Sequence, residues 1–164
     1  MAVDIEYAIG LIQAENRAAL GANVGLVPEL KDYLSSIQDG QLPYVITWPG
    51  PGRWNNKGHG WWEDKRTFFI LAYVLPLGQQ LIGLRAVAAT QLLERMRAHY
   101  ITAANISLAD PTIANGGYQV TVEGGQSTPH SDEGLVSNLE IAGTVYHGFM
   151  LSLNVCIRKN PSPS

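Results

Sequence analysis

Residues that could do chemistry are few in this chain, and they lie far apart in the sequence. Its four histidines show no spacing typical of a metal-ligand pair: they are His59, His99, His130 and His147. His59 would share a metal with Glu63 and Asp64 only if the connecting loop folded back on itself. We interpret His99, near a predicted helix end, and His147, in a predicted strand, as packed or capping residues. The sequence therefore predicts no metal site.

The three residue types of a hydrolase triad occur side by side at His130, Ser131 and Asp132. Consecutive side chains cannot converge in the geometry that nucleophilic catalysis needs, so we interpret this run as a turn in a polar loop. Ser137 and Ser152 lie in strand-like patterns without the sharp turn that exposes a catalytic serine. No catalytic residue is predicted.

Paired glycines near the middle of the chain do not form a phosphate-binding loop. Gly50/Gly52 and Gly58/Gly60 lack a third glycine, a preceding buried strand and a following helix. We interpret them as loop glycines. The chain is therefore predicted to bind no cofactor and not to be an enzyme.

The tryptophans form the best candidate site, because all of them surround one Gly- and Pro-rich stretch, residues 49–60. They are Trp48, Trp54, Trp61 and Trp62. One interpretation is that they fasten this stretch to its own domain. A second is that they anchor a contact with another subunit, because tryptophan is enriched at binding hot spots. A third is a flat platform for sugar rings, although no polar groups for the sugar hydroxyls can be placed here. The interface is the preferred interpretation.

These residues must be positioned by the strand and helix that follow them. Residues 65–75 are rich in aromatic and β-branched residues, which predicts a strand with two apolar rows. Phe68 and Phe69 lie on opposite rows, so both faces need cover. The following helix, predicted over residues 81–101, covers one face. The other face is covered either by a second layer of the same chain or by a neighbouring subunit, so Phe68 and Phe69 join the interface candidates. The apolar stripe predicted for the helix is Leu81, Leu84, Ala88, Leu92 and Met96.

The remaining pattern predicts the fold class. A first helix over residues 3–20 and a short helical turn within residues 29–37 precede a strand over residues 42–48. Alternating apolar residues predict three later strands, at residues 118–123, 135–142 and 145–158. The order indicates a single α+β domain, residues 1–158: a mostly antiparallel sheet with helices packed on one face and an extended loop or β-arm. Residues 159–164 are predicted to be a disordered C-terminal tail.

Composition narrows the classes of partner. Among 164 residues, 46% are hydrophobic but only 15% are charged, against about 25% in an average protein, which suits a chain that buries surface against partners. The net charge is −3 and no run of Lys and Arg occurs, which argues against direct binding of duplex DNA but not against DNA passing nearby. One cysteine, Cys156, excludes an internal disulfide, and we expect it to be buried. No secretory signal or membrane span is predicted, and we expect the chain to be made in a cytoplasm.

The arrangement resembles a known family. A first helix leads to Leu42-Pro43-Tyr44-Val45-Ile46-Thr47-Trp48-Pro49-Gly50, then a Gly-rich loop precedes Lys65-Arg66-Thr67-Phe68-Phe69-Ile70. A helix around residues 84–100 and a final strand over residues 146–158 complete the order. This order resembles the tail terminator and head–tail joining proteins of long-tailed bacteriophages. The resemblance covers residues 2–158 and rests on element order, not on a fixed motif.

The resemblance implies a function in virus assembly. It implies a homo-oligomer, a hexameric ring, that caps the tail tube, contacts the tail tube protein and the head connector or adaptor protein, and lets DNA pass without specific binding. It also implies no catalytic residues, and an arm, here residues 49–62, that reaches a neighbouring subunit. The expected location is the virion tail or neck, after assembly in the host cytoplasm. The alternatives are a carbohydrate-binding module of a phage receptor-binding device, another connector, adaptor or baseplate subunit, or a small enzyme of unrecognised type.

Overall fold

The computed structural model describes residues 2–21, 26–58, 61–102, 118–122 and 131–159. It confirms the predicted α+β class, because two helices accompany a five-stranded antiparallel sheet. The helices and strands are α1 (Ala2–Leu20), β1 (Tyr44–Gly58), β2 (Trp61–Pro76), α2 (Leu84–Thr102), β3 (Tyr118–Val122), β4 (Ser131–Ile141) and β5 (Thr144–Lys159). Short 3-10 turns at Leu30–Asp32 and Asp39–Gln41 lie between α1 and β1. Of the predicted tail, Lys159 ends β5, and residues 160–164 lie outside the described residues.

The sheet is organised around β5. Along one edge β5 pairs with β2 from Pro76 to Trp62. Along its other edge it pairs first with β4, at residues 144–152, and then with β3, at residues 155–159. The outer side of β2 pairs with β1 over almost the whole of both strands. β1 and β2 therefore form one long hairpin at the edge of the sheet.

Both helices pack against one face of the sheet, as predicted. β2 contributes Phe68, Ile70 and Ala72 to this face, and all three are fully buried. The alternate row of β5 is buried beside them, from Phe149 to Ile157. From the helices, the buried residues are Ala8, Ile9, Ile12 and Leu20 of α1 and Ala89, Leu92, Leu93, Met96 and Tyr100 of α2. Burial of this apolar set is the main stabilising contribution to the fold.

The predicted apolar stripe of α2 is wrong in its first half. Leu84 and Ala88 are exposed, whereas the buried stripe begins at Ala89 and continues through Leu92 and Met96. The first turn of α2 lies at the end of the helix where the sheet no longer provides cover, so periodicity identified the helix but not which of its turns pack.

The second face of the sheet is covered by the same chain at one end, around Tyr73. Tyr44, Ile46, Tyr73 and Tyr146 form a separate buried cluster there. Residues from the 26–42 connection and from β4 pack against it, including Leu34 and Leu139. The apolar side chains of β2 are therefore covered on the helix side of the sheet, and around Tyr73 they are also covered on the other side. A neighbouring subunit is not needed to cover the residues around Tyr73.

A buried polar network fixes the helices on the sheet. The Asn16 amide donates to Gln13 Oε1 (2.9 Å) and to Thr47 Oγ1 (3.1 Å), and Thr47 Oγ1 donates to Gln13 Oε1 (2.7 Å). Tyr100 of α2 donates its hydroxyl to Asn16 Oδ1 at 2.6 Å. The Gln13 amide donates to the carbonyl oxygens of Pro28 (2.8 Å) and Val45 (3.1 Å). Because each buried group has a partner, the network specifies one alignment of α1, α2 and β1.

Candidate interaction surfaces

The far half of the β1–β2 hairpin contains most of the tryptophans. We call residues 48–58 and 61–69 the arm. The sequence pattern leaves residues 49–60 open between a loop and a β-arm, and the structure makes residues 49–58 part of a strand, with β1 continuing to Gly58. Residues 51–56 are all exposed. His59, the residue that would share a metal ion with Glu63 and Asp64, lies outside the described residues.

A register shift in β1 puts two tryptophans on opposite faces of the hairpin. Trp48 pairs with Phe69, whereas Trp54 pairs with Asp64, and one extra residue of β1 lies between Pro49 and Gly52. Because β2 keeps an unbroken register with β5 across these positions, Phe69 and Asp64 point to opposite sides. Trp54 thus lies on the helix side of the sheet and Trp48 on the other side. Without the extra residue, two positions six apart would share one face.

Two indoles of the arm, those of Trp54 and Trp62, stack on each other. The ring centroids of Trp54 and Trp62 are 4.3 Å apart, with an interplanar angle of 19°. Trp54 nevertheless remains 49% exposed, because only one of its ring faces meets Trp62. Trp61 begins β2, and its side chain lies outside the described part of the structure. The arm therefore presents one exposed face of the Trp54 ring, and stacking on Trp62 of the same chain holds that ring in place.

The remaining candidates divide between surface and core. Trp48 is 54% exposed, and its cross-strand partner Phe69 is half-buried. Phe68 is fully buried between the sheet and the helices, so its side chain is not available to a neighbouring subunit. The prediction that Phe68 contributes to an interface is wrong for this reason. Trp48 and Trp54 remain as exposed candidates and Phe69 and Trp62 as half-buried ones, while for Trp61 the interface stays a prediction.

Polar contacts link the two strands of the arm to each other and to β5. Arg66 donates through Nη1 to the carbonyl oxygen of Gly50 (2.9 Å) and through Nε to Asp64 Oδ2 (3.2 Å). Arg158 of β5 donates through Nε to Glu63 Oε2 at 3.0 Å, and the Glu63 side chain is only 6% exposed. This hydrogen bond is the main reason that the pKa of Arg158 is raised. These contacts make the arm a stiff element, not a free loop.

The outer edge of β1 is protected near the start of the arm. The hydroxyl of Tyr33 accepts from Thr47 N (3.0 Å) and donates to Thr47 O (2.9 Å). The backbone N–H and C=O that Thr47 directs outward from the sheet are therefore already hydrogen-bonded. Two positions on, Pro49 has no N–H to offer at the same edge. Burial raises the pKa of the Tyr33 hydroxyl to about 12. Strand addition by another molecule is therefore opposed at residues 47–49.

A second exposed apolar surface lies at the start of α2. We call Leu77, Ile82, Leu84 and Val87 the α2 patch. All four are exposed, and Leu84 reaches 87%. Beside it, a groove of about 230 Å³ is lined by Pro43, Val74, Ala88 and Leu92, among others. Sequence reasoning missed this surface because Leu84 fitted the predicted core stripe.

The two histidines in the described residues, His99 and His147, make hydrogen bonds that link elements of the fold. His147 lies between Ser137 Oγ, 2.7 Å from Nδ1, and Gln79 O, 3.0 Å from Nε2. Since a carbonyl oxygen only accepts, Nε2 donates the hydrogen and Nδ1 accepts from the serine. His99 Nε2 lies 2.7 Å from Glu15 Oε2 and joins α2 to α1. Across the described residues, no group of three or more His, Cys, Asp or Glu side chains could hold a metal ion.

No protein-family model matches this chain, and no curated protein matches it in sequence. Of the helices in the described ranges, none combines the length and the apolar character needed to cross a membrane.

Proposed function

We propose that this chain is a structural subunit of a long-tailed bacteriophage particle. In this proposal, copies form a ring that caps the tail tube and joins the tail to the head connector, with DNA passing through the lumen. The observation that carries the proposal is the stiff arm with exposed indoles on both of its faces. A monomer gains nothing from this exposure, whereas a contact with another subunit buries it.

The energetics of the arm favour an interface over self-fastening. Aromatic side chains bury about 150–250 Å² each when fully covered and dominate interface energetics. Trp48 and Trp54 keep about half of that surface open to water. If their purpose were to fasten the arm to its own domain, they would be covered there. Their ordered exposure supports a contact with a second molecule.

The charge of the chain suits a ring through which DNA slides. The net charge is −3, and the sequence holds no run of Lys and Arg. A basic lining would neutralise phosphates and retain the DNA, because phosphate contacts dominate non-specific affinity. A mildly acidic subunit leaves passage unhindered. This supports the proposed lumen without assigning residues to it.

Sugar binding is the weaker candidate function. An exposed Trp54 ring could contact a sugar face, but Trp62 covers its other face, so the stacked pair offers one ring face and not an extended platform. Binding to a glycan array that is lost on Trp54→Ala would favour this candidate. Unchanged assembly of the same variant would support it further.

Light scattering and negative-stain imaging of the purified chain, and imaging of particles that contain it, test the proposal. We expect a closed, symmetric ring in at least one of these settings. Trp54→Ala and Trp61→Ala should weaken assembly more than folding. Asn138→Ala, at an exposed position of β4, is the matched control and should assemble as wild type does. A monomer both at high concentration and within tails would contradict the proposal.

A further inference from the structure

A polar groove crosses the face of the sheet that is opposite the helices. Its volume is about 320 Å³, at the small end of the range of about 300–1,000 Å³ for ligand sites. Lys65 and Thr67 line it from β2, and their cross-strand partners Arg53 and Asn154 line it from β1 and β5. Because Lys65 and Thr67 alternate with the buried Phe68 side of β2, these side chains share the face away from the helices. The groove has the size of a small-ligand site.

The groove is cationic, although the net charge of the chain is −3. Arg53 and Lys65 are both exposed and lie directly opposite each other, so both charged ends can approach one bound group. No carboxylate lines the groove in the part of the chain that the structure describes. The acidic neighbours on β2, Glu63 and Asp64, each accept a hydrogen bond from an arginine outside the Arg53–Lys65 pair. The complementary ligand is therefore an anion.

Hydrogen-bonding groups form the floor of the groove. Thr67 and Asn154 are half-buried, and Thr67 Oγ1 donates to Asn154 Oδ1 at 3.3 Å. The amide oxygen is thereby turned toward the threonine, and the amide nitrogen, a donor, is turned away from it. Threonine and asparagine side chains are common partners of phosphate oxygens and sugars. The floor thus suits a phosphorylated sugar.

An exposed indole stands at one end of the groove. Trp48 is 54% exposed and pairs with Phe69, which is two residues along β2 from Thr67. At about 3.3 Å per residue, Trp48 lies about 7 Å from the level of Thr67, on the same face. Gly50 lies between them, and an added Cβ there would lie 2.6 Å from the Phe69 ring. A glycine inside a strand often marks a place where a ligand approaches closely. An aromatic platform thus adjoins the cationic groove.

We propose that this groove binds a nucleoside phosphate, with the base stacked on Trp48 and the phosphate between Arg53 and Lys65. Aromatic side chains that stack bases, beside basic side chains that hold phosphates, are the elements by which open sheet faces recognise single-stranded nucleic acid. A free nucleotide and a nucleotide unit of a single strand present the same base and phosphate, so both are candidates. Two basic side chains do not grip a duplex, which agrees with the absence of a run of Lys and Arg.

Binding at the groove goes beyond the proposed function and does not require a ring. The two proposals meet at Trp48, which is also a candidate for the contact between subunits. One indole face cannot stack on a base and pack against a subunit at once, so nucleotide binding should oppose any subunit contact made through Trp48. Trp54, on the opposite face of the hairpin, takes no part in the groove. Trp54→Ala therefore serves to weaken assembly while leaving the groove intact.

Isothermal titration calorimetry with defined probes tests the proposal. The probes are adenosine 5′-monophosphate, adenosine, inorganic phosphate and a short single-stranded oligodeoxyadenylate. We expect saturable binding of the monophosphate, and binding at least about tenfold weaker for adenosine and for phosphate, because each lacks one of the two recognised groups. If the oligonucleotide binds at least about tenfold more tightly than the monophosphate, the ligand is a single strand; if not, it is a free nucleotide.

Two variants test the assigned roles. Trp48→Ala should weaken binding of the monophosphate about tenfold, since the base loses its stacking partner. Arg53→Ala with Lys65→Ala should weaken it at least about tenfold but leave the weak binding of adenosine unchanged. The matched control, Arg85→Ala with Arg95→Ala, removes the same charge from exposed positions of α2 and should bind as wild type does.

The outcomes separate this proposal from the proposed function. Absence of saturable binding of the monophosphate and the oligonucleotide, to both the wild type and Trp54→Ala, would overturn it. An equal loss of affinity in the Arg85/Arg95 control would also overturn it, because the effect would then be one of overall charge. All variants change exposed side chains, so circular dichroism and thermal unfolding should show an intact fold. Nucleotide binding without a ring would contradict the proposed function alone, and a ring without nucleotide binding would contradict this proposal alone.

Discussion

Trp48 and Trp54 lie on opposite faces of the same hairpin, although their spacing in the sequence would place them on one face. The cause is the single extra residue of β1 between Pro49 and Gly52. Trp54 consequently meets Trp62, and Trp48 meets Phe69. The arm therefore carries an aromatic surface on each side, which is the feature that favours a contact between subunits.

The Trp54–Trp62 stack has a spectroscopic consequence. Two indoles with centroids 4.3 Å apart couple their electronic transitions, so we expect a paired positive and negative band in far-UV circular dichroism. Trp54→Ala and Trp62→Ala should each abolish this paired band while the thermal midpoint changes little. Trp48→Ala, which leaves the stack alone, is the control and should retain it. A band that survives the loss of Trp54 would contradict the described geometry.

The two adjacent phenylalanines of β2 should differ sharply in their effect on stability. Phe68 is fully buried beneath the helices, so Phe68→Ala should lower the free energy of unfolding by about 3–5 kcal/mol. Phe69 is half-buried beside Trp48, and Phe69→Ala should cost about 1–2 kcal/mol. Denaturant unfolding of the two variants measures this. Equal costs would show that the two rows of β2 are covered alike.

Gly148 lies where β5 pairs closely with β2. A Cβ atom at this position would overlap the carbonyl oxygen of Ala72, which is backbone and cannot move aside without breaking the ladder. Gly148→Ala should therefore cost about 3 kcal/mol or more, or prevent folding. Gly10→Ala is the matched control, because nothing lies within 4 Å of its added Cβ. Helical propensity should make that control neutral or slightly stabilising. Comparable stability of the two variants would contradict the close approach.

Buried tyrosines should make the fold sensitive to alkali. Burial raises the pKa of Tyr33 to about 12, and burial also raises the pKa of Tyr44, Tyr73 and, most strongly, Tyr100. In the unfolded chain these hydroxyls ionise near pH 10. Above that pH the unfolded state binds fewer protons than the folded state, so stability falls as pH rises from about 10 toward 12.

Tyrosinate absorbance followed together with thermal unfolding tests this sensitivity. The late-titrating tyrosines should ionise only as the protein unfolds. Tyr33→Phe removes one of these hydroxyls and should reduce the slope of stability against pH. It also removes the two hydrogen bonds between the Tyr33 hydroxyl and the backbone of Thr47. Complete ionisation near pH 10 with the fold intact would contradict the burial described here.

Local patterns predicted the elements well, and the reasons are physical. Periods of 2 and 3.6 residues identified the long strand, both helices and the final strand, because each of these elements has at least one face in the core. The first half of α2 misled this reasoning, since Leu84 has the right spacing but no sheet beneath it. Spacing shows which residues share a face, but not whether anything packs there.

The sequence picks out the cluster of tryptophans but not its geometry. Clustered tryptophans pointed to the arm, yet the register shift that separates Trp48 from Trp54 depends on pairing with β2 and leaves no local signal. Phe68 is among the interface candidates because the pattern predicts one covered row of β2 but does not show which row lies beneath the helices. The cover of Tyr73 by residues 26–42 was equally invisible, because it depends on how that connection folds over the sheet.

The assembly state of the chain tests the central claim most directly. Mass measurement by light scattering, combined with images of the same sample and of tails that contain the chain, gives the number of copies and their symmetry. The account predicts a closed ring in which every copy is equivalent, and the loss of that ring when Trp48 and Trp54 are both replaced by alanine. A chain that stays monomeric in concentrated solution and in tails, with both indoles exposed to water, would contradict it.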